Sequence, residues 1–290
     1  MEKKIQKGLP MSSDHTPIQP EDYVEPRCLL CGEPFGSEPP VKPVPQQRII
    51  EKVDEYMSRR DYAAVERHLL YWLEEARLGR DLRGELMIRN ELVGHYRKTA
   101  NKERALENAS KALELLERMG FTESVSAGTT YTNVATAYQA FGKTEESLPL
   151  FEKALKIYES DPHTAPSLLG GLYNNMALTC VELKRFDQAF TLYEKALNTM
   201  ASVPGGRLEQ AITYLNMADA AAAKGGMPDA EPEVFAFVDK AADLLDDPQA
   251  PEDGYYAFVC EKCAPTFSYY GYFIEAEKLE KKANAIYQRT

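Results

Sequence analysis

Residues 133–155, NVATAYQAFGKTEESLPLFEKAL, decide the fold. This segment superimposes without gaps on residues 91–113, ELVGHYRKTANKERALENASKAL, and on residues 175–197, NMALTCVELKRFDQAFTLYEKAL. Ala112, Ala154 and Ala196 take equivalent places, so the copies recur every 42 residues, and a fixed period marks a repeat array. In each copy the apolar residues fall at helical spacing in two runs, broken by a turn such as Phe141-Gly142-Lys143-Thr144. Each copy is therefore a helical hairpin. Small residues recur where the helices must approach closely: Ala135, Ala177 and Ala218 in the first helix, Ala105, Ser147, Ala189 and Ala230 at the start of the second. Large ones recur beside them, Tyr96 and Tyr138 late in the first helix and Phe151 and Tyr193 in the second, so ridges can seat into grooves.

Degenerate copies extend the array both ways. Upstream, Ile49 to Ser58 reads as a first helix, and Arg60-Asp61-Tyr62-Ala63-Ala64-Val65 with Leu69 and Trp72 as its partner. Downstream, Tyr214-Leu215-Asn216-Met217-Ala218 opens a fifth hairpin, and Cys260 to Tyr270 with Phe273 to Tyr287 makes a sixth, whose Pro265 should kink its first helix. The expectation is an all-α protein with no β-sheet, built from about six antiparallel hairpins over 46–290, the last (about 252–290) acting as a C-terminal cap. Asp246-Asp247-Pro248 through Asp253-Gly254 breaks the period, which leaves open a shorter array followed by a separate helical domain from near Pro248. Gly170-Gly171 and Gly225-Gly226 are read as hairpin turns. Residues 1–45 hold nine of the eighteen prolines and form a proline-rich arm with a Cys28-x-x-Cys31 pair, either unstructured or extended along the array or a partner.

The pattern resembles the tetratricopeptide repeat, which places L-x-x-x-Y in one helix and A-x-x-x-F-x-x-A in the next. Tyr173-Asn174-Asn175-Met176-Ala177 with Leu192-Tyr193-Glu194-Lys195-Ala196-Leu197 is similar to the 42-residue variant of kinesin light chains. The resemblance covers most of 46–290 and implies a right-handed superhelical solenoid that binds protein or peptide on the concave face of its first helices.

On that face, the residue two before the small-residue position is Asn133, Asn175 and Asn216 in three successive hairpins. An amide side chain offers donors and an acceptor, so a row of them can pair with both groups of a peptide backbone; interhelical spacing is the alternative reading. In kinesin-light-chain-like arrays asparagines at this position contact bound peptide, and the resemblance implies that role here. The first full hairpin has Glu91 at this position with Asn90 beside it, and Asn174 adjoins Asn175. Arg97 and Lys98 could add a basic patch for an acidic ligand, Leu178, Val181 and Glu182 supply further contact, and Asp219 makes the fifth hairpin more acidic. The Lys/Asn/Arg set of a co-chaperone carboxylate clamp cannot be assembled. The partner is thus expected to be a protein or an extended peptide, with a peptide sensor or a self-assembling scaffold as alternatives.

Charge and composition exclude other classes. A net charge of −11 lacks the clustered Lys and Arg that release counterions from nucleic acid. No run approaches the length of a membrane span and the first residues have no apolar signal core, so the sequence reads as cytoplasmic. His15, His68, His95 and His163 are scattered, and no phosphate loop, nucleophile elbow or H-E-x-x-H occurs, so the chain reads as a non-enzyme needing no cofactor. The aromatic run Tyr255-Tyr256-x-Phe258 with Phe267, Tyr269, Tyr270, Tyr272 and Phe273 is read as core and cap packing, with a partner surface as the alternative. Cys180 is read as a small buried hydrophobe. Cys28 and Cys31 with Cys260 and Cys263 could close one structural zinc site across 229 residues, although buried free thiols are the ordinary reading of the second pair and a solenoid need not bring its ends together.

Overall fold

The computed structural model describes residues 41–246 and 253–289, and within them all regular structure is α-helical. Twelve helices pair into six hairpins: α1 (Gln46–Ser58) with α2 (Tyr62–Leu78), α3 (Leu82–Lys98) with α4 (Lys102–Met119), α5 (Val125–Ala140) with α6 (Thr144–Ser160), α7 (Pro166–Glu182) with α8 (Phe186–Met200), α9 (Arg207–Gly225) with α10 (Met227–Leu245), and α11 (Gly254–Tyr269) with α12 (Phe273–Arg289). Five of the helices start where a side chain takes an orphan N–H: Asp61, Asp81, Asn101, Ser124 and Asp253 each cap one. Within each of the six hairpins the turn passes through one residue with positive φ: Arg60 (56°), Ala100 (55°), Gly142 (79°), Lys184 (58°), Gly226 (75°) and Gly271 (86°). The tight turn demands a positive φ, and only three of the six positions hold glycine, which adopts it without cost.

The small residues do what their spacing requires. Ala105, Ala135, Ser147, Ala177, Ala189 and Ala218 are fully buried, with Phe151 and Tyr193 packed beside them. A second device repeats with the same period. Lys153 lies over the Tyr131 ring and Lys195 over the Tyr173 ring, 5.5 and 5.3 Å from the centroids, so a cation stitches the second helix to the first. In the last hairpin Lys282 keeps the lysine's place, while Cys260 occupies the tyrosine's place and Tyr256, one turn earlier, supplies the ring.

One reading of the sequence is corrected. Gly170 and Gly171 lie inside α7, not in a turn: a Cβ on Gly170 would meet Met200 Sδ at 2.5 Å, so the missing side chain admits α8. Gly128, 42 residues earlier, does the same for Tyr158. Gly225 ends α9 and Gly226 forms the next turn, as expected. The last hairpin shares one core with α9 and α10, in which Leu215, Val234 and Val238 meet Val259, Cys260 and Phe267. Tyr255 donates to Glu209, Tyr270 to Asp219 at 2.8 Å and Tyr272 to Asp239 at 2.5 Å, fixing it further. Helix α11 continues through Pro265.

At the other end, Val44 is buried and its N–H donates to Asp81 Oδ2 (2.9 Å), while Lys42 N–H donates to the Gly79 carbonyl (2.8 Å), so residues 42–44 are fixed on the α2–α3 turn.

Candidate functional site

First helices pack on first helices, α3 on α5, α5 on α7, α7 on α9 and α9 on α11, so they form the inner layer of the stack and the second helices its outer layer. The asparagines of the inner layer are partly engaged with one another. Asn133 Nδ2 donates to Asn90 Oδ1 (3.3 Å), and Asn90 Nδ2 in turn donates to Thr130 Oγ1 (2.9 Å) and the Leu86 carbonyl. Two hairpins further along, Asn216 Nδ2 donates to Asn174 Oδ1 (3.1 Å). These two amide pairs tie α5 to α3 and α9 to α7, and they run from each line position to the residue before it in the preceding hairpin. Asn90 spends three of its hydrogen-bonding options in this way, and Asn174 is buried. Asn175 is half-buried and its amide has no hydrogen-bond partner among the described residues.

The inner register can be counted from the positive-φ turn residues. Six places back stand Asp54, Gly94, Thr136 and Leu178; three places back stand Met57, Arg97, Gln139 and Val181. The first two members of each row line a cleft of about 700 Å³ together with Val53, Glu91 and Lys98, and Tyr255, Phe258 and Tyr287 close it from the far side. Leu178 therefore sits in the register that lines the cleft, half-exposed, whereas Val181 packs into the core and Glu182 accepts from Gln139 (3.0 Å) and Thr144 (2.7 Å).

The cleft exists because the ends of the stack meet. Arg60 Nη2 lies 3.0 Å from Glu261 Oε1, its guanidinium sits 4.1 Å from the centre of the Tyr287 ring, and Tyr287 OH donates to Glu261 Oε2 (3.2 Å). Lys98, read from sequence as part of a basic patch, has its ammonium 5.0 Å from the Phe258 ring and 5.5 Å from the Tyr62 ring. Nothing in the repeat pattern pointed to α1 and α11 as neighbours, so Asp54 and Met57 escape a reading from sequence. Tyr255 and Phe258 belong to the aromatic run read as core and cap packing with a partner surface as the alternative, and both are exposed.

The cleft mixes charge with apolar wall. Burial, with the nearby charge of Asp54, raises the Glu91 carboxyl above the ordinary range, and burial raises Asp54 as well. Crowding of the Arg97 guanidinium lowers it. No ion pair partners Glu91, Asp54 or Arg97 among the described residues, so the cleft holds charges whose desolvation is not offset. A second cleft of about 700 Å³ opens between α8 and α10 in the outer layer, but Phe190, Phe237 and Tyr214 stack across its floor and Lys240 covers two of those rings.

Of the four cysteines proposed for zinc, Cys28 and Cys31 lie outside the described residues. Cys260 and Cys263 are buried free thiols in the last hairpin's core, burial raising both, Cys263 to about 12. Cys180 is likewise buried. Among the described residues no three His, Cys, Asp or Glu side chains are grouped so that they could hold a metal, and no helix is long and apolar enough to cross a membrane.

Stacked helical hairpins with an inward-facing cleft define a solenoid repeat protein. The sequence matches the tetratricopeptide repeat family over residues 84–160 and 168–232, and the chain is a tetratricopeptide-repeat protein. No curated protein matches it in sequence. Among solved structures, NprR in complex with its cognate peptide NprX is similar with a TM-score of 0.55 and 17% identity, over 82% of this chain and 66% of that one. BtubC (BKLC) from P. vanneervenii gives a TM-score of 0.46 and 17% identity over 84% and 91%. Nearly identical TPR-like repeats from Podosopora anserina, in a protein provisionally named a kinesin light chain, give 0.46 and 18% over 68% and 92%. At these identities the likeness is one of fold.

Proposed function

We propose that the chain is a non-catalytic module that binds a protein or peptide segment along its inner face, anchored in the cleft between α3 and α11. The observation that carries this reading is the cleft itself: about 700 Å³ at the inner surface, walled by Met57, Tyr255 and Phe258 and holding Glu91, Asp54 and Arg97 without ion-pair partners. Unpaired, partly desolvated charge beside apolar wall is costly in the unliganded chain and is repaired by a ligand that brings an apolar side chain and a matching charge. The Asn175 amide and the Leu178 side chain extend the surface along the stack. Tetratricopeptide repeats bind proteins and peptides, and NprR, which shares the fold, was crystallised with a peptide.

A random-peptide display library selected on the full chain supplies the probe. Selected peptides should bind at least ~10-fold more weakly to Asn175→Ala, Arg97→Ala and Phe258→Ala variants, as expected when an anchoring side chain is truncated. Equal affinity for all three variants would overturn the inner-face reading.

One observation favours a second reading as a self-assembling scaffold. Tyr269, Phe273 and Ile274 are 75%, 67% and 67% exposed at the turn of the last hairpin, while Tyr256 and Phe267 of the same aromatic run are buried. Light scattering at rising concentration separates the two, because a scaffold assembles without added ligand and a Tyr269→Ser, Phe273→Ser variant would stay monomeric.

A further inference from the structure

The interactions that join the ends of the stack differ in kind from those that build it. Successive hairpins are held by buried apolar side chains, whereas the first two hairpins meet the last through Arg60, Lys98, Glu261, Tyr287 and Phe258, all at or near the surface. Arg60, in the α1–α2 turn, reaches the last hairpin. Arg60 has φ 56° at the turn position where Gly142 and Gly271 sit in their own hairpins, so a side chain is kept where glycine would cost least. That side chain makes both closing interactions, the ion pair with Glu261 and the stack on Tyr287, while Tyr287 holds the Glu261 carboxylate from its other oxygen. Behind this seam lies the cleft, whose near wall belongs to α1 and α3 and whose far wall belongs to α11.

We propose that Arg60, Glu261 and Tyr287 form a separable latch that closes the array into a ring and gates the inner cleft: closed, it holds α11 against α1 and α3, and open, it admits the ligand. The gating half rests on the inner-face reading above; the latch itself does not. A closure made of partly exposed charged groups is weak and screened by salt, unlike the buried stacking of the hairpins, so it can part without unfolding the array. The geometry supplies a direct probe. A Cβ on Gly254 would lie 3.9 Å from the Cβ of Ser58 across the seam, the separation a disulfide spans.

In the full chain carrying Ser58→Cys and Gly254→Cys, mild oxidation should form the 58–254 disulfide, identified by peptide mass so that Cys28 and Cys31 do not confuse the assignment. Adding Arg60→Glu should slow its formation by roughly 5- to 10-fold, the scale set by replacing one ion pair and one cation–π interaction with a like-charge pair, and further addition of Glu261→Arg should recover part of the rate by re-forming the ion pair in the opposite sense. A folded chain that does not form the 58–254 bond, or a rate indifferent to Arg60→Glu, overturns the latch. For the gate, the oxidised chain should bind a display-selected peptide at least ~10-fold more slowly than the same chain reduced, because the covalent closure removes the opening step that binding needs. Equal rates overturn the gate while leaving the latch, and a chain that captures no peptide in either state fails the inner-face reading and leaves the disulfide result intact.

Discussion

Two adjacent glycines should respond to the same substitution with opposite sign. Gly171 lies within α7 with nothing within 4 Å of where a Cβ would be built, so Gly171→Ala restores ordinary helix propensity at no steric cost and should stabilise by about 1 kcal/mol. Gly170 gains the same propensity, but its Cβ would stand 2.5 Å from Met200 Sδ and 2.8 Å from Met200 Cγ. Met200 is buried at the end of α8 and has little room to yield. Overpacking of this kind costs about 1 to 3 kcal/mol, which cancels or outweighs the propensity gain, so Gly170→Ala should be neutral to about 2 kcal/mol destabilising. Gly128→Ala, whose Cβ would run into the Tyr158 ring, should fall on the destabilising side, because a ring cannot flex as a thioether can. Urea titrations followed by circular dichroism would read all three. Array unfolding need not be two-state, so the comparison is of the midpoint of the transition that involves α7. A stabilising Gly170→Ala, or a destabilising Gly171→Ala, would refute the proposed packing of α8 on α7.

Further outcomes follow from the same reasoning. Ala100→Gly and Lys184→Gly, at positive-φ turns, should each stabilise by about 0.5 to 1 kcal/mol, read as a higher urea midpoint. Arg89 is buried, bonded to Glu85 at 2.6 Å and to Asn108 at 3.0 Å, so Arg89→Ala should cost about 3 to 5 kcal/mol by leaving Glu85 without its charge partner. For Glu91, the folded carboxyl sits above its unfolded value, so the folded chain holds the extra proton and stability falls as pH rises through that interval. Glu91→Gln should therefore stabilise at pH 7 and lose its advantage toward pH 4, as thermal unfolding at the two pH values would show. Cys180, Cys260 and Cys263, buried with thiols raised by that burial, should react with a thiol reagent only at the rate of unfolding, whereas fast labelling of any of the three in the folded chain would contradict their burial.

The repeat was legible because close helix packing imposes the same small and large residues every 42 positions, and those residues are the ones found buried: Ala135 and Ala177, Phe151 and Tyr193. Gly170 was misread because glycine in a sequence signals either a turn or a close approach, and only the position of Met200 distinguishes the two, while Gly171 is a helical glycine with open space around it. Asn133 and Asn216 fall on the inner layer, but spacing along one chain says nothing of which neighbour an amide meets, so their bonds to Asn90 and Asn174 needed coordinates. The cleft was the least legible feature. It arises between α1, α3 and α11, and their approach depends on small rotations accumulated over six hairpins, a quantity that no local pattern encodes.

The claim that most needs testing is where a ligand sits. A display-selected peptide carrying a photoreactive benzophenone, irradiated with the full chain and mapped by peptide mass, reports its position directly. Binding along the inner face places the cross-links on the inner layer, at Met57, Asn175, Leu178 or Phe258. Cross-links confined to the outer layer, as at Glu194 or Glu233 between α8 and α10, would contradict it.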